Sequence, residues 1–307
     1  MPGQGPCQPI IQLIIKRGED TIERLAVFVF RTGTGAVTFW KGGWMLQQLK
    51  SWRRRRVLRR HAIADPLWDE LAAALPVLQG LDAGERERLR ELTTLFLHDK
   101  EFYGARGFEV TPAMALHVAV QACLLILNLE LDLYRDWSTV ILYPDTFVAP
   151  REETDEAGLV HSSRHELAGE SWDGGPVVLS WADAAPGASP HGPGTNVVIH
   201  EFAHKLDMRT GSANGLPPLH RGMAVEAWSE IFTAAFEQLL RQVGQGRETL
   251  VDPYAAEDPA EFFAVASEYF FEAPAVLRHE FPQVYRQLAL YYRQDPALRA
   301  EPPEGAA

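Results

Sequence analysis

The sequence predicts an α+β fold that is mainly helical, and three observations carry that reading. Apolar residues recur at helical spacing through most of the 307 residues, with proline or a capping residue opening several segments. Only two short runs, residues 140–143 and 174–181, read clearly as strands, each bounded by proline or glycine. Just beyond the second run lies an apolar stretch, Asn196-Val-Val-Ile-His-Glu-Phe-Ala-His-Lys-Leu-Asp-Met208. It carries His-Glu-x-x-His on what its flanking Val, Ile, Phe and Leu residues mark as a buried helix.

Composition narrows the function classes. Hydrophobic residues make up 46% and charged residues 23%, the balance of a globular protein. Two cysteines, Cys7 and Cys123, make neither a disulfide framework nor a cysteine-rich metal module, and a reducing, cytoplasmic setting is expected. Charge is uneven. Up to residue 61 there are twelve Lys or Arg against three Asp or Glu, and beyond it seventeen against thirty-eight. The acidic body is therefore not expected to hold nucleic acid directly. Residues 113–133 are the most membrane-like run, but His117, Gln121, Asn128, Glu130 and Asp132 interrupt it, so a core helix is expected and no membrane span.

In chain order, residues 1–44 open with prolines and glycines and are expected to form a poorly structured extension, with a small hairpin near residues 25–40 as the alternative. Met45 reads as a natural start. Residues 45–61 form a basic segment holding Arg53–Arg56, Arg59 and Arg60; a solvated helix start is the plain reading of it. Asp65-Pro66, Asp82 and Thr111-Pro112 each read as the start of a helix. Residues 150–174 read as polar chain in which His161 and His165 are loop or strand residues rather than ligands. Further helices are expected over residues 225–242, 257–272 and 282–294, with a flexible tail from 297 to 307.

His200 and His204 stand one helical turn apart, so both imidazoles can reach one metal ion, and Glu201 sits where its carboxylate can reach an attacking water. A third ligand is needed. The route through His-x-x-Gly-x-x-His is closed, because Asp207 and Thr210 occupy those positions. The other route is a glutamate on a later helix. Asp258-Pro-Ala-Glu-Phe-Phe-Ala-Val-Ala-Ser-Glu-Tyr-Phe-Phe271 offers Glu261 and Glu268, with Glu257 and Asp258 nearby. Spacing alone leaves Glu261 either a ligand or the glutamate of a capping box begun by Asp258.

These motifs, with Gly107-Phe-Glu109, residues 140–144, Gly169-Glu-Ser-Trp172, Gly175-Pro-Val-Val-Leu-Ser-Trp181 and Phe281-Pro282, resemble the Mlc titration factor A family of zinc peptidases over roughly residues 60–296. The resemblance implies a zincin-like metallopeptidase of the glutamate-ligand class, its catalytic core similar to anthrax lethal factor, in which a small sheet packs beside the active-site helix. It implies one Zn2+ per chain held by His200, His204 and Glu261, with Glu201 as the base. Tyr254, seven residues before Glu261, matches the position of a lethal-factor tyrosine and is expected to donate to the developing oxyanion. Asp207 and Glu268 are expected to act behind the ligands.

The function expected is aminopeptidase-like hydrolysis of a peptide or protein substrate, with binding of a transcriptional repressor such as Mlc as a further role. The rival is a regulatory binding protein that sequesters a transcription factor around a structural zinc; an acid in the base position speaks against it. Residues 62–296 are expected to form the peptidase domain, and residues 176–181 the edge strand that holds substrate.

Overall fold

A computed structural model describes residues 10–13, 26–29, 43–154, 160–167, 169–171, 174–188, 192 and 194–300. The chain divides into two compact units, residues 1–60 and 61–307. In the first, strands β1 (Ile10–Leu13) and β2 (Ala26–Val29) pair antiparallel, and helix α1 (Gly43–Arg60) carries the basic run with Arg53–Arg56, Arg59 and Arg60 exposed. Residues 30–42, which hold the rest of the expected hairpin, lie outside the described residues.

The second unit is mainly helical around one small sheet. Helix α2 (Asp65–Ala74) begins one residue earlier than its proline suggests. Ala64 is the cap position, and Asp65 enters the first turn and pairs with Arg90 at 2.5 Å instead of capping. Helix α3 (Ala83–Asp99) starts at a full capping box between Asp82 and Glu85, and it buries Leu89, Leu92 and Phe96. Thr111 caps α4 (Pro112–Leu125), whose residues 116–125 are all buried. No helix among the described residues is long and apolar enough to cross a membrane.

Strands β3 (Glu101–Gly104), β4 (Thr139–Tyr143), β7 (Gly169–Ser171) and β8 (Val177–Ser180) form the sheet in the order β3-β4-β8-β7. The first three neighbours run parallel and β7 pairs antiparallel to β8. This corrects the expected edge. β8 has β4 on one side and β7 on the other, so its backbone groups are already paired, and β7 is the edge strand on that side of the sheet, β3 being the other. The stretch read as polar chain contains a hairpin of β5 (Phe147–Thr154) and β6 (Val160–Leu167), in which His161 pairs in register with Glu153 and His165 with Ala149.

A four-residue turn of helix, α5 (Trp181–Ala184), leaves the sheet, and α6 (Val197–Asp207) then runs against β7, β8, α4 and α8 (Pro259–Glu272). Helices α7 (Val225–Gly244), α9 (Pro274–Glu280) and α10 (Pro282–Tyr292) complete an aromatic core. In it Trp228 stacks on Phe232 at 4.1 Å and meets Phe263 and Tyr291. Each fully buried ring of this kind contributes about 2–3 kcal/mol of apolar burial. Where a tail is expected from residue 297, α11 (Pro296–Ala300) forms instead. Ala297 is buried, and Arg299 bonds Glu85 at 2.6 Å, which gives the segment partners that a tail lacks.

Candidate metal centre

The centre lies where α6 passes α8. Asn196 caps α6 by accepting from the Ile199 amide at 3.0 Å, which starts the helix so that positions 200 and 204 share the face toward α8. On α8, Asp258 caps through the amides of Ala260 and Glu261 at 2.7 and 2.9 Å. The Glu261 side chain does not turn back to complete a capping box. It reaches across to α6, with Oε2 3.0 Å from His200 Nε2 and Oε1 3.5 Å from His204 Nε2. The two imidazole Nε2 atoms lie 3.1 Å apart. One ligand atom from each of His200, His204 and Glu261 thus falls within 4.8 Å of the others.

This arrangement fits a cation. His200 Nδ1 lies 2.7 Å from Glu268 Oε1, so a proton donated there leaves the Nε2 lone pair facing the cluster. Two Nε2 lone pairs in contact repel each other unless a proton or a metal ion lies between them. Without a metal, burial opposes charging His200, but the hydrogen bonds of Glu261 and Glu268 outweigh it and hold the imidazole pKa well above its ordinary value. Burial likewise opposes ionising Glu261, yet the two histidines hold its carboxyl far below the usual range. A metal ion would take over from that proton.

Glu201 stands beside the cluster but outside it. Its side chain packs on the edge strand, where a Cβ on Gly169 would come within 2.5 Å of its carboxylate oxygen; only glycine lets the acid lie there. Ser171 of the same strand donates to the Glu201 backbone carbonyl at 2.9 Å. Glu201 Oε2 is buried with no hydrogen-bond partner, and burial raises the pKa of its carboxyl despite the nearby histidines. Tyr254, in a 3-10 turn over Pro253–Ala256, is 43% exposed, and its ring centroid lies 6.1 Å from that of His200. It stands at the rim, on the solvent side of the triad.

Glu268 is brought directly behind His200, and its second oxygen accepts from the Asn196 amide. Asn196 Nδ2 in turn donates to Gln121 at 2.7 Å and Glu272 at 2.6 Å. Asp207 goes elsewhere. Its Oδ2 accepts from the amides of Asn214 and Gly215 at 2.7 and 2.6 Å, with no direct hydrogen bond to a histidine. Reading the sequence missed Gly169, Ser171, Gln121 and Glu272. Gly169-Glu-Ser-Trp172 was a visible motif without an assigned role, while Gln121 and Glu272 carry no local signal at all.

The His-His-Glu cluster beside a buried acid is an arrangement that could hold a metal ion. Residues 49–293 match the glucose-regulated metallo-peptidase M90 family, and the chain belongs to that family. It is 39% identical over 253 residues to Mlc titration factor A of Salmonella arizonae, covering 81% of this chain and 97% of that protein. Mlc titration factor A of Salmonella gallinarum is 40% identical over 237 residues, 76% of this chain and 87% of the relative. An uncharacterized protein of Synechocystis sp. is 36% identical over 257 residues, 83% and 93% of the two chains.

Proposed function

We propose that the chain is a zinc-dependent peptidase with aminopeptidase-like activity, working in the cytoplasm, and that His200, His204 and Glu261 hold one zinc ion. The observation that carries this reading is Glu201: an acid with a raised pKa, buried beside the three ligand atoms yet not one of them. A purely structural site has no use for such a group. Bound zinc supplies Lewis acidity, polarising the substrate carbonyl and making water easier to deprotonate. Glu201 accepts the proton of the attacking water and delivers it to the leaving amine. Tyr254 donates a hydrogen bond to the oxygen that gains negative charge. Glu268 holds the His200 ring in place through Nδ1. The unpaired side of β7 receives the extended peptide by strand addition, next to Glu201.

The test pairs metal analysis by mass spectrometry with hydrolysis of a panel of aminoacyl and peptidyl chromogenic substrates. One zinc per chain and turnover abolished by Glu201→Gln support the proposal. Zinc with no turnover of any substrate favours the second reading, a regulatory binding protein. The printed names of the relatives motivate that reading, since they are called titration factors of Mlc. Binding of an Mlc-type repressor, measured by calorimetry with wild type and Glu201→Gln, separates the two roles: a docking role survives the substitution and a catalytic one does not.

A further inference from the structure

At the foot of α6 three buried polar atoms have no hydrogen-bond partner among the described residues: His204 Nδ1, Asp207 Oδ1 and the Tyr291 hydroxyl. They belong to neighbouring groups. His204 and Asp207 are three residues apart on α6 and so share a face. Asp207 Oδ2 is already committed to the Asn214 and Gly215 amides, which leaves Oδ1 alone on the other side of the carboxylate. The Gly215 carbonyl accepts from the Trp228 indole at 2.9 Å, and the Trp228 ring packs edge-on against Tyr291 with centroids 5.8 Å apart. Loop 214–215, Trp228 and Tyr291 are thus joined in one run of contacts that begins at Asp207.

Buried polar groups are nearly always paired, and isolated exceptions call for an unseen partner. Three on connected elements, on groups that can donate and accept, match the usual set of three hydrogen bonds around a buried water. We propose that one buried water bridges His204 Nδ1, Asp207 Oδ1 and the Tyr291 hydroxyl, and that Asp207 and Tyr291 thereby position His204 for the cation. The bonding is complete on this arrangement. The His204 Nδ1–H donates to the water oxygen, the water donates to Asp207 Oδ1, and the Tyr291 hydroxyl takes the remaining place as donor or acceptor. The Nδ1 proton is fixed by that bond, and the Nε2 lone pair is left for the metal, as Glu268 achieves directly at His200. Tyr291 is a positioning residue and touches neither substrate nor metal.

The inference rests on the metal reading proposed above, and the experiment separates the two. Zinc affinity is measured by competition with a chelating dye for the full chain and for Tyr291→Phe, alongside the melting temperature of both in metal-free form. Tyr291→Phe keeps the ring and its packing, and it is expected to bind zinc about tenfold more weakly. In an Asp207→Asn background the same change should add little, because the two residues act through one water. Wild type that binds no zinc overturns the metal reading itself. Wild type that binds zinc while Tyr291→Phe binds it equally well overturns this inference alone. So does a metal-free melting temperature that rises in Tyr291→Phe, the signature of an unpaired hydroxyl removed from a core. If the variant does not fold, a high-resolution crystal structure of the zinc-loaded wild type decides: a water within about 3.2 Å of all three atoms supports the bridge, and a dry site refutes it.

Discussion

His200 and His204 belong to one motif on one helix, yet the protein holds them by different means. His200 lies near the start of α6, where α8 runs alongside, and a carboxylate reaches its Nδ1 directly: Glu268 at 2.7 Å. That carboxylate is itself fixed by Asn196, which is tied to Gln121 and Glu272. One turn later His204 has moved past that network, and its Nδ1 is buried with no hydrogen-bond partner among the described residues. Asp207, the acid three residues on along the same helix, is occupied by loop amides. Two histidines that look equivalent in sequence therefore differ in how firmly they are oriented, and His200 is the better anchored of the two.

The largest effects test whether these histidines need Glu261 at all. Glu261→Gln should lose zinc and with it hydrolysis, since a neutral amide cannot replace the carboxylate between two Nε2 atoms. Full zinc content and full turnover in that variant would move the ligand role to Glu268. Glu201→Gln should do the opposite, keeping the metal while turnover falls on the order of 10²–10⁴-fold or more, because a base is removed but no ligand. Retained turnover there would place the base elsewhere.

Tyr254→Phe comes next. It acts at the rim near His200 and should slow turnover by about 10²–10³-fold, the usual loss for one oxyanion donor, with zinc affinity unchanged. A change confined to the Michaelis constant would make Tyr254 a substrate-binding residue instead. Smaller again is Glu268→Gln, which addresses the comparison itself. It should weaken zinc binding about 10–100-fold. A direct carboxylate partner is the stronger hold, so this loss should exceed the one on the His204 side. Equal losses would mean that the two histidines are oriented equally well by different routes.

Much of this centre was legible because its signals are local. The caps at Asp82, Thr111 and Asp258 are written within three residues of the helices they open, and the spacing of His200 and His204 follows from one helical turn. Asp65 misled by one position because Arg90, distant in sequence, competes for its carboxylate. Helix α9 is too short for a period to show, and β3, with one half-buried residue among exposed ones, shows no alternation. Glu261 could not be resolved from spacing, since a capping box and a ligand begin from the same helix start. Only the approach of α6 decides where its side chain goes. The same holds for Glu268, Gln121 and Glu272, whose roles exist only across helix pairs.

The smallest expected effect is none, on deleting residues 1–44. Every residue of the candidate metal centre, and every partner named for either histidine, lies within the unit spanning residues 61–307. The upstream strands β1 and β2 pair with each other and supply no ligand or base. We propose on that ground that residues 1–44 contribute nothing to the site, and that a chain beginning at Met45 matches the full one in zinc affinity, hydrolysis and melting temperature. The contrary expectation is definite. If residues 25–40 bury aromatic rings against the second unit, two such rings would add roughly 3–6 kcal/mol of apolar burial before entropy is counted. Their removal would then lower the melting temperature by several degrees, by the scaling of stability with chain size. A drop of that kind with zinc affinity intact would make the extension a structural part of the fold. A parallel loss of zinc affinity would mean that the orientation of the histidines depends on chain outside the second unit, and the comparison drawn between them would have to be rebuilt with that segment included.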